Sequence, residues 1–226
     1  MANRPSTGCG GRTSSDLRRR WFLLLGFVGV FWLAGPAGSA TVEQVHLSEM
    51  LSRCELIFEG RVVGHSTEEI ASGFRTWVEF EVVEVVKGPP VGRTFSLAFL
   101  GGQLNGLVDR VAGLRVPEVG EHGIYFVESL QRFQVNPLFG WDQGRLRILI
   151  GADGRERVVS ARGRPVVGLR PERLGAKRHA IGTGSGPAGG VEVDEGASLE
   201  GALTKASVKA ALVRALLSSP GGEVGK

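Results

Sequence analysis

Phe80-Glu81-Val82-Val83-Glu84-Val85-Val86-Lys87-Gly88 is the stretch on which the fold turns. Val78, Phe80 and Val82 point one way while Glu79 and Glu81 point the other, the two-residue period of a strand with one buried face. After Val82 the phase slips, and Val83 and Val85 carry the apolar face around Glu84. A one-residue slip inside a long strand predicts a β-bulge, which lets the strand bend from one sheet into another. The strand stops at Lys87-Gly88-Pro89-Pro90.

Upstream, Leu56, Phe58 and Val62 alternate with Ile57, Glu59 and Arg61 in a strand expected to end at Gly64. Before it, Val42, Val45, Met50, Leu51 and Cys54 share a helical face, predicting a short helix over 42–53. Downstream, Phe95, Leu97 and Phe99 form a third alternating run, and Gly101–Gly106 opens a long connection. Ile124–Val127 is apolar on both faces, as a central strand is. Leu146–Ile150 and Arg157–Ser160 read as a hairpin about the Asp153-Gly154 turn, with Pro165–Leu169 as an edge strand.

Residues 182–197 read as a Gly-rich linker. Leu199, Leu203, Ala206, Ala210, Val213 and Leu217 then recur at helical spacing, so 198–218 is expected to be an amphipathic helix with Ser198 as N-cap. The division predicted is a leader (1–40), a β-barrel domain (41–150), a basic β-hairpin extension (151–181), the linker and the helix.

Arg18, Arg19 and Arg20 precede an apolar run from Trp21 to Ala34, followed by Gly35-Pro36-Ala37-Gly38-Ser39-Ala40. A cationic start, a 14-residue apolar run and small residues before a cut describe a secretory signal peptide with cleavage after Ala40. An uncleaved N-terminal anchor is the alternative, although the run is short of the ~20 residues that span a bilayer. Arg19-Arg20-Trp21-Phe22-Leu23 also resembles a twin-arginine export motif, with Arg18 where Ser or Thr is usual. No Cys stands directly after the cut, which argues against a lipoprotein.

The leader removes five arginines and one aspartate, so the +4 of the whole chain falls to balance: 22 basic and 22 acidic residues remain. Nucleic acid is therefore not the expected partner, and no stable membrane span survives cleavage. Cys54 is left without a disulfide partner and reads as a small buried hydrophobe.

His46, His65, His122 and His179 lie in unrelated segments without metal-ligand spacing. Gly184, Gly186 and Gly189 satisfy G-x-G-x-x-G, but no strand precedes them and no helix opens on them. The chain has no G-x-S-x-G elbow and no G-K-[ST] loop. No catalytic residue, metal ligand or cofactor is assigned. Residues 153–178 hold eight Arg or Lys against three acids: Arg155, Arg157, Arg162, Arg164, Arg170, Arg173, Lys177 and Arg178. They read as a solvated hairpin face or, more sharply, as a site for an acidic partner or anionic cell-surface polymer.

Three stretches carry a family resemblance: Leu56-Ile57-Phe58-Glu59-Gly60-Arg61-Val62-Val63, Phe80 to Gly88, and Gly120-Glu121-His122-Gly123-Ile124-Tyr125-Phe126. Together they resemble the netrin-like domain, the OB-type barrel of tissue inhibitors of metalloproteinases and of exported bacterial proteins of that kind. The resemblance covers roughly a third of the chain, from about Cys54 to Val127. It implies a mainly β fold with an OB-like Greek-key barrel, for which a bulged, bending strand is apt. The family's inhibitory chemistry does not transfer, because it needs an N-terminal cysteine and the processed chain would start at Thr41.

The function expected is an exported, non-catalytic binding module for a protein or cell-envelope partner. Its ligand is sought at loops 64–75 and 101–118. Two alternatives stand beside it: a small secreted hydrolase built from Glu121, His122 and another acid, and an inhibitor of an exported protease that works without cysteine–zinc chelation.

Overall fold

A computed structural model describes residues 41–171, 180–182 and 186–218. The leader and its cut after Ala40 lie outside these residues, as do Arg173, Lys177, Arg178, His179 and Gly184. Among the described residues, no helix is long and apolar enough to cross a membrane.

The chain is mainly β, with a large antiparallel sheet and, among the described residues, two α-helices. Its strands run β1 (Thr41–Glu43), β2 (Leu56–Ile70), β3 (Gly73–Lys87), β4 (Thr94–Leu100), β5 (Gly102–Leu104), β6 (Leu107–Asp109) and β7 (His122–Val127). They continue with β8 (Arg145–Ile150), β9 (Glu156–Ser160), β10 (Val166–Leu169), β11 (Ala180–Gly182) and β12 (Val191–Val193). The helices are α1 (Leu47–Arg53) and α2 (Lys205–Ser218). Six strands form one sheet in the order β4-β3-β2-β7-β8-β9; its ends are β4 and β9, and no closed barrel forms among the described residues.

The bulge at Val83 is present. Glu59 pairs with Glu84 and Gly60 with Val82, leaving Val83 unpaired, and two further shifts fall at Val86 and Val63. After the slip, Val85 returns to the face of Phe80 while Glu84 and Val86 take the other. The sheet is thereby buried on both sides. Ile57, Ile124, Phe126, Leu146, Ile148 and Val158 pack under α1 and α2, whereas Phe58, Phe80, Phe99, Tyr125 and Leu138 form a second core on the opposite face. β7 is buried throughout, as its two-sided apolarity requires.

The resembling motifs have local causes. Gly60 and Gly123 are paired across β2 and β7, and a Cβ on Gly60 would lie 2.8 Å from the Phe58 ring and one on Gly123 2.7 Å from Leu146 O. Lys87 Nζ donates to the carbonyls of Leu51, Ser52 and Cys54, satisfying the C-terminal end of α1. Gly88, at φ 109°, passes where a Cβ would meet Glu55 O at 2.3 Å.

Several expectations are corrected. The first helix covers 47–53, because Thr41–Glu43 pairs with β11 as a strand. β2 does not stop at Gly64 but runs to Ile70, so residues 64–75 are a β-hairpin rather than a loop. β8 and β9 belong to the same sheet as β2 and β3, so no domain boundary falls at 150. β10 pairs with β12, which lies inside the expected linker, and Ala188 and Val191 there are buried.

The C-terminal helix starts at 205, with Thr204 Oγ1 accepting from Ser207 N. Ser198 instead precedes a one-turn 3₁₀ helix, Leu199–Gly201. The helix buries Val208 and Leu212, while Ala206, Ala210, Val213 and Leu217 of the expected stripe face outward.

Candidate functional site

Glu121 and His122 precede and begin β7, and consecutive strand residues face opposite ways. His122 shares its face with Ile124, and its Nε2–H donates to Glu59 Oε1, 2.9 Å away. Glu121 shares its face with Tyr125: its carboxylate accepts from Tyr125 Oη–H at 3.1 Å and lies 3.6 Å from both Arg145 and Arg147. The pair expected for a hydrolase therefore forms no acid–base couple.

Glu59, the fourth residue of β2, has no solvent exposure. Lys205 Nζ at 3.1 Å and Lys209 Nζ at 2.7 Å, both from α2, bond its two oxygens. Lys205 also pairs with Glu156 at 2.5 Å and Lys209 with Glu84. Burial pushes the Glu59 carboxyl up, but the hydrogen bonds from His122, Lys209 and Lys205 outweigh it and hold the group at about 2. Both lysines are held above their ordinary value: burial lowers them, and the carboxylates overcome it. Such a cluster is occupied by its own partners; it fastens a helix to a sheet.

The other candidates are likewise committed. His46 caps α1, with Nδ1 within 3.3 Å of Ser48 N, and burial lowers its pKa. His65 bonds Pro117 O at 2.7 Å through Nε2. Gly189 bridges to His46 beside α1. Cys54 is buried, and burial pushes its thiol up to about 12 despite nearby Lys87. Among the described arginines of the basic segment, Arg157 pairs with Asp153, Arg164 with Glu195 and Arg170 with Glu192. Among the described residues, no three His, Cys, Asp or Glu side chains gather to hold a metal ion.

An open groove of about 620 Å³ lies on the Tyr125 face of the sheet, beyond the second core. It is bounded by His65, Thr67 and Thr76 of the long hairpin and by residues 100–116, so the two stretches singled out in the sequence do meet. Its size falls within the ~300–1,000 Å³ of ligand pockets. Leu100, Val108, Val111, Leu114 and Val116 supply apolar wall, and Thr67, Gln103, Asp109 and Arg110 supply neutral, acidic and basic hydrogen-bonding groups. Thr76 Oγ1 donates to Gly101 O at 2.8 Å, which draws the 101–109 segment onto the hairpin. A Cβ on Gly102 would strike Thr76 Oγ1 at 2.4 Å, so only glycine permits this approach.

That segment is a small hairpin, β5–β6, turning at Asn105 (φ 51°) and Gly106 (φ 80°). In the sequence Gly101–Gly106 reads only as the start of a long connection, although the Asn105-Gly106 dipeptide is the signal that could have revealed this hairpin.

Fold and site thus define a mainly β protein with a ligand-sized groove and buried charges that are matched from within. Comparison with known proteins gives no match: no family model, no curated protein and no solved structure is similar to the chain.

Proposed function

We propose that the chain is an exported, non-catalytic binding module that takes a protein or cell-envelope ligand in the groove between the β2–β3 hairpin and residues 100–116. The observation that carries this reading is the groove itself: it is open and ligand-sized, and it joins two segments distant in sequence. By contrast, Glu59, Glu121 and His122 spend their hydrogen bonds inside the protein. Export rests on the arginine-led apolar run of residues 18–40.

Kinship with the netrin-like OB-type domains belongs to the same proposal. β2, β3 and β4 follow one another by hairpins, and β7 returns beside β2, a Greek-key connection that supports it. The bulges at Val63, Val83 and Val86 supply the bending that such a fold needs.

The test is affinity capture from the envelope and secreted fractions with the full-length protein and two variants. Val108 is exposed at the groove, and Val213 is exposed on α2 away from it. A species retained by the wild type and by Val213→Gln, but lost with Val108→Gln, is the expected result. Equal capture by all three, or turnover of an envelope polymer abolished by His122→Ala, would overturn the reading.

A further inference from the structure

The sheet face that carries the helices is covered over only part of its length. Glu84 and Val86 of β3 meet α2 and the first core, but Arg75, Trp77, Glu79 and Glu81 continue the same face beyond them. The register fixes the surroundings of Trp77: Ser66 lies opposite it on β2 and Ala98 on β4. Two small neighbours flank the half-buried indole and form with it a patch, the dish. Phe133 forms its wall, with ring centroids 6.1 Å apart at 85° to Trp77 and 69% of its own surface exposed.

This aromatic pair is fixed from beneath. Trp77 Nε1 donates to Glu68 Oε1 at 2.9 Å, the same carboxylate lies 3.5 Å from Arg75, and the Arg75 guanidinium sits 4.4 Å from the Phe133 ring centre. Holding the anchors before a partner arrives removes ordering entropy from binding, and aromatic anchors carry most interface energy. Arg75 and Glu68 answer each other at the edge of the dish, so the unanswered charge beside it is negative. Glu79 stands in the next row, exposed, between Gly64 and Ser96, and among the described residues no cation lies within ion-pair distance of it.

We propose that this dish is a docking surface for a basic segment of a protein partner. An arginine or lysine lies across the Trp77 indole with its charge at Glu79, and an adjacent aliphatic side chain packs on Phe133. The surface is on the face opposite the groove, so the inference stands or falls separately from the ligand proposed there.

The probe is a soluble peptide of alternating arginine and leucine, titrated into the full-length protein. Its controls are a glutamate–leucine peptide and a neutral glucan oligosaccharide. The readout is the Trp77 indole N–H resonance, assigned through Trp77→Phe. The basic peptide should shift this resonance, with affinity falling as salt rises. Glu79→Gln should weaken it roughly threefold to tenfold, while Val108→Gln in the groove leaves it unchanged. Equal binding to Glu79→Gln, or a shift produced only by the glucan or the acidic peptide, overturns the inference. Loss with Val108→Gln alone would place the peptide in the groove and sink this inference while sparing the earlier one.

Discussion

Glu59 is a carboxylate without solvent on the central strand of a two-sided sheet, a position that is costly unless every oxygen is matched. His122, Lys205 and Lys209 match it, and the group ionises at about 2 against an ordinary 4.5. A lowered folded pKa adds stability above the unfolded value, and that stability is lost as pH falls from 4.5 towards 2. The contribution is on the order of 3 kcal/mol. Glu59→Gln should therefore unfold at lower urea near neutral pH, by about 2–3 kcal/mol. This is below the ~3–5 typical of a broken buried pair, since the lysines keep Glu84 and Glu156. Urea titrations at pH 7 and 3 should show the gap between wild type and variant closing in acid; a constant gap would assign Glu59 a packing role only. The sequence shows Glu59 as one more polar residue alternating with Phe58, because nothing local reveals that two lysines about 150 positions away cover it.

At the scale of elements, α2 is the case where periodicity misleads. Two apolar stripes run along it, Ala206, Ala210, Val213 and Leu217 on one side and Val208, Leu212, Ala215 and Leu216 on the other. Reading lysine as a mark of the solvent face favours the first stripe. The protein uses the second, because Lys205 and Lys209 turn inward to Glu59 and carry that side of the helix onto the sheet. Leu212→Ala should then cost about 2–5 kcal/mol and Leu217→Ala no more than about 0.5 kcal/mol. Chemical denaturation of the two variants decides between the stripes, and the reverse order would mean that the helix docks by its other side. The strands were more legible where one face is buried: the alternation of Phe95, Leu97 and Phe99 is β4, and the phase slip at Val83 is a bulge. Legibility ended at Gly64, since His65 to Ile70 extend past the second core, where both sides of the strand suit polar residues. The groove suffers the same blindness. Its two segments were foreseeable, but its lining comes from exposed strand ends and a backbone-rich turn that leave no hydrophobic period.

For the whole molecule the decisive relation is that one sheet separates two cores, and the C-terminal segment closes the first of them. Val158 N donates to Leu203 O, Leu203 N to Val166 O, and Arg157 bonds Ala202 O, so the stretch before α2 is stitched to β9 and β10. Val208 and Leu212 then enter the core with Ile124 and Phe126 beneath them. A tethered appendage would make none of these bonds. Ending the chain at Ala197 should uncover that core and leave Glu59 facing outward without its lysines. The loss is two fully buried aliphatic side chains at ~1.5–3 kcal/mol each, together with the carboxylate's partners. With ~2–4 °C per kcal/mol for a chain of this size, the melting temperature should fall by more than about 10 °C. Calorimetry on the full and shortened chains measures this directly. A change of less than about 2 °C would show instead that the sheet and its groove stand without α2, and that the Glu59 cluster fastens the helix without supporting the fold.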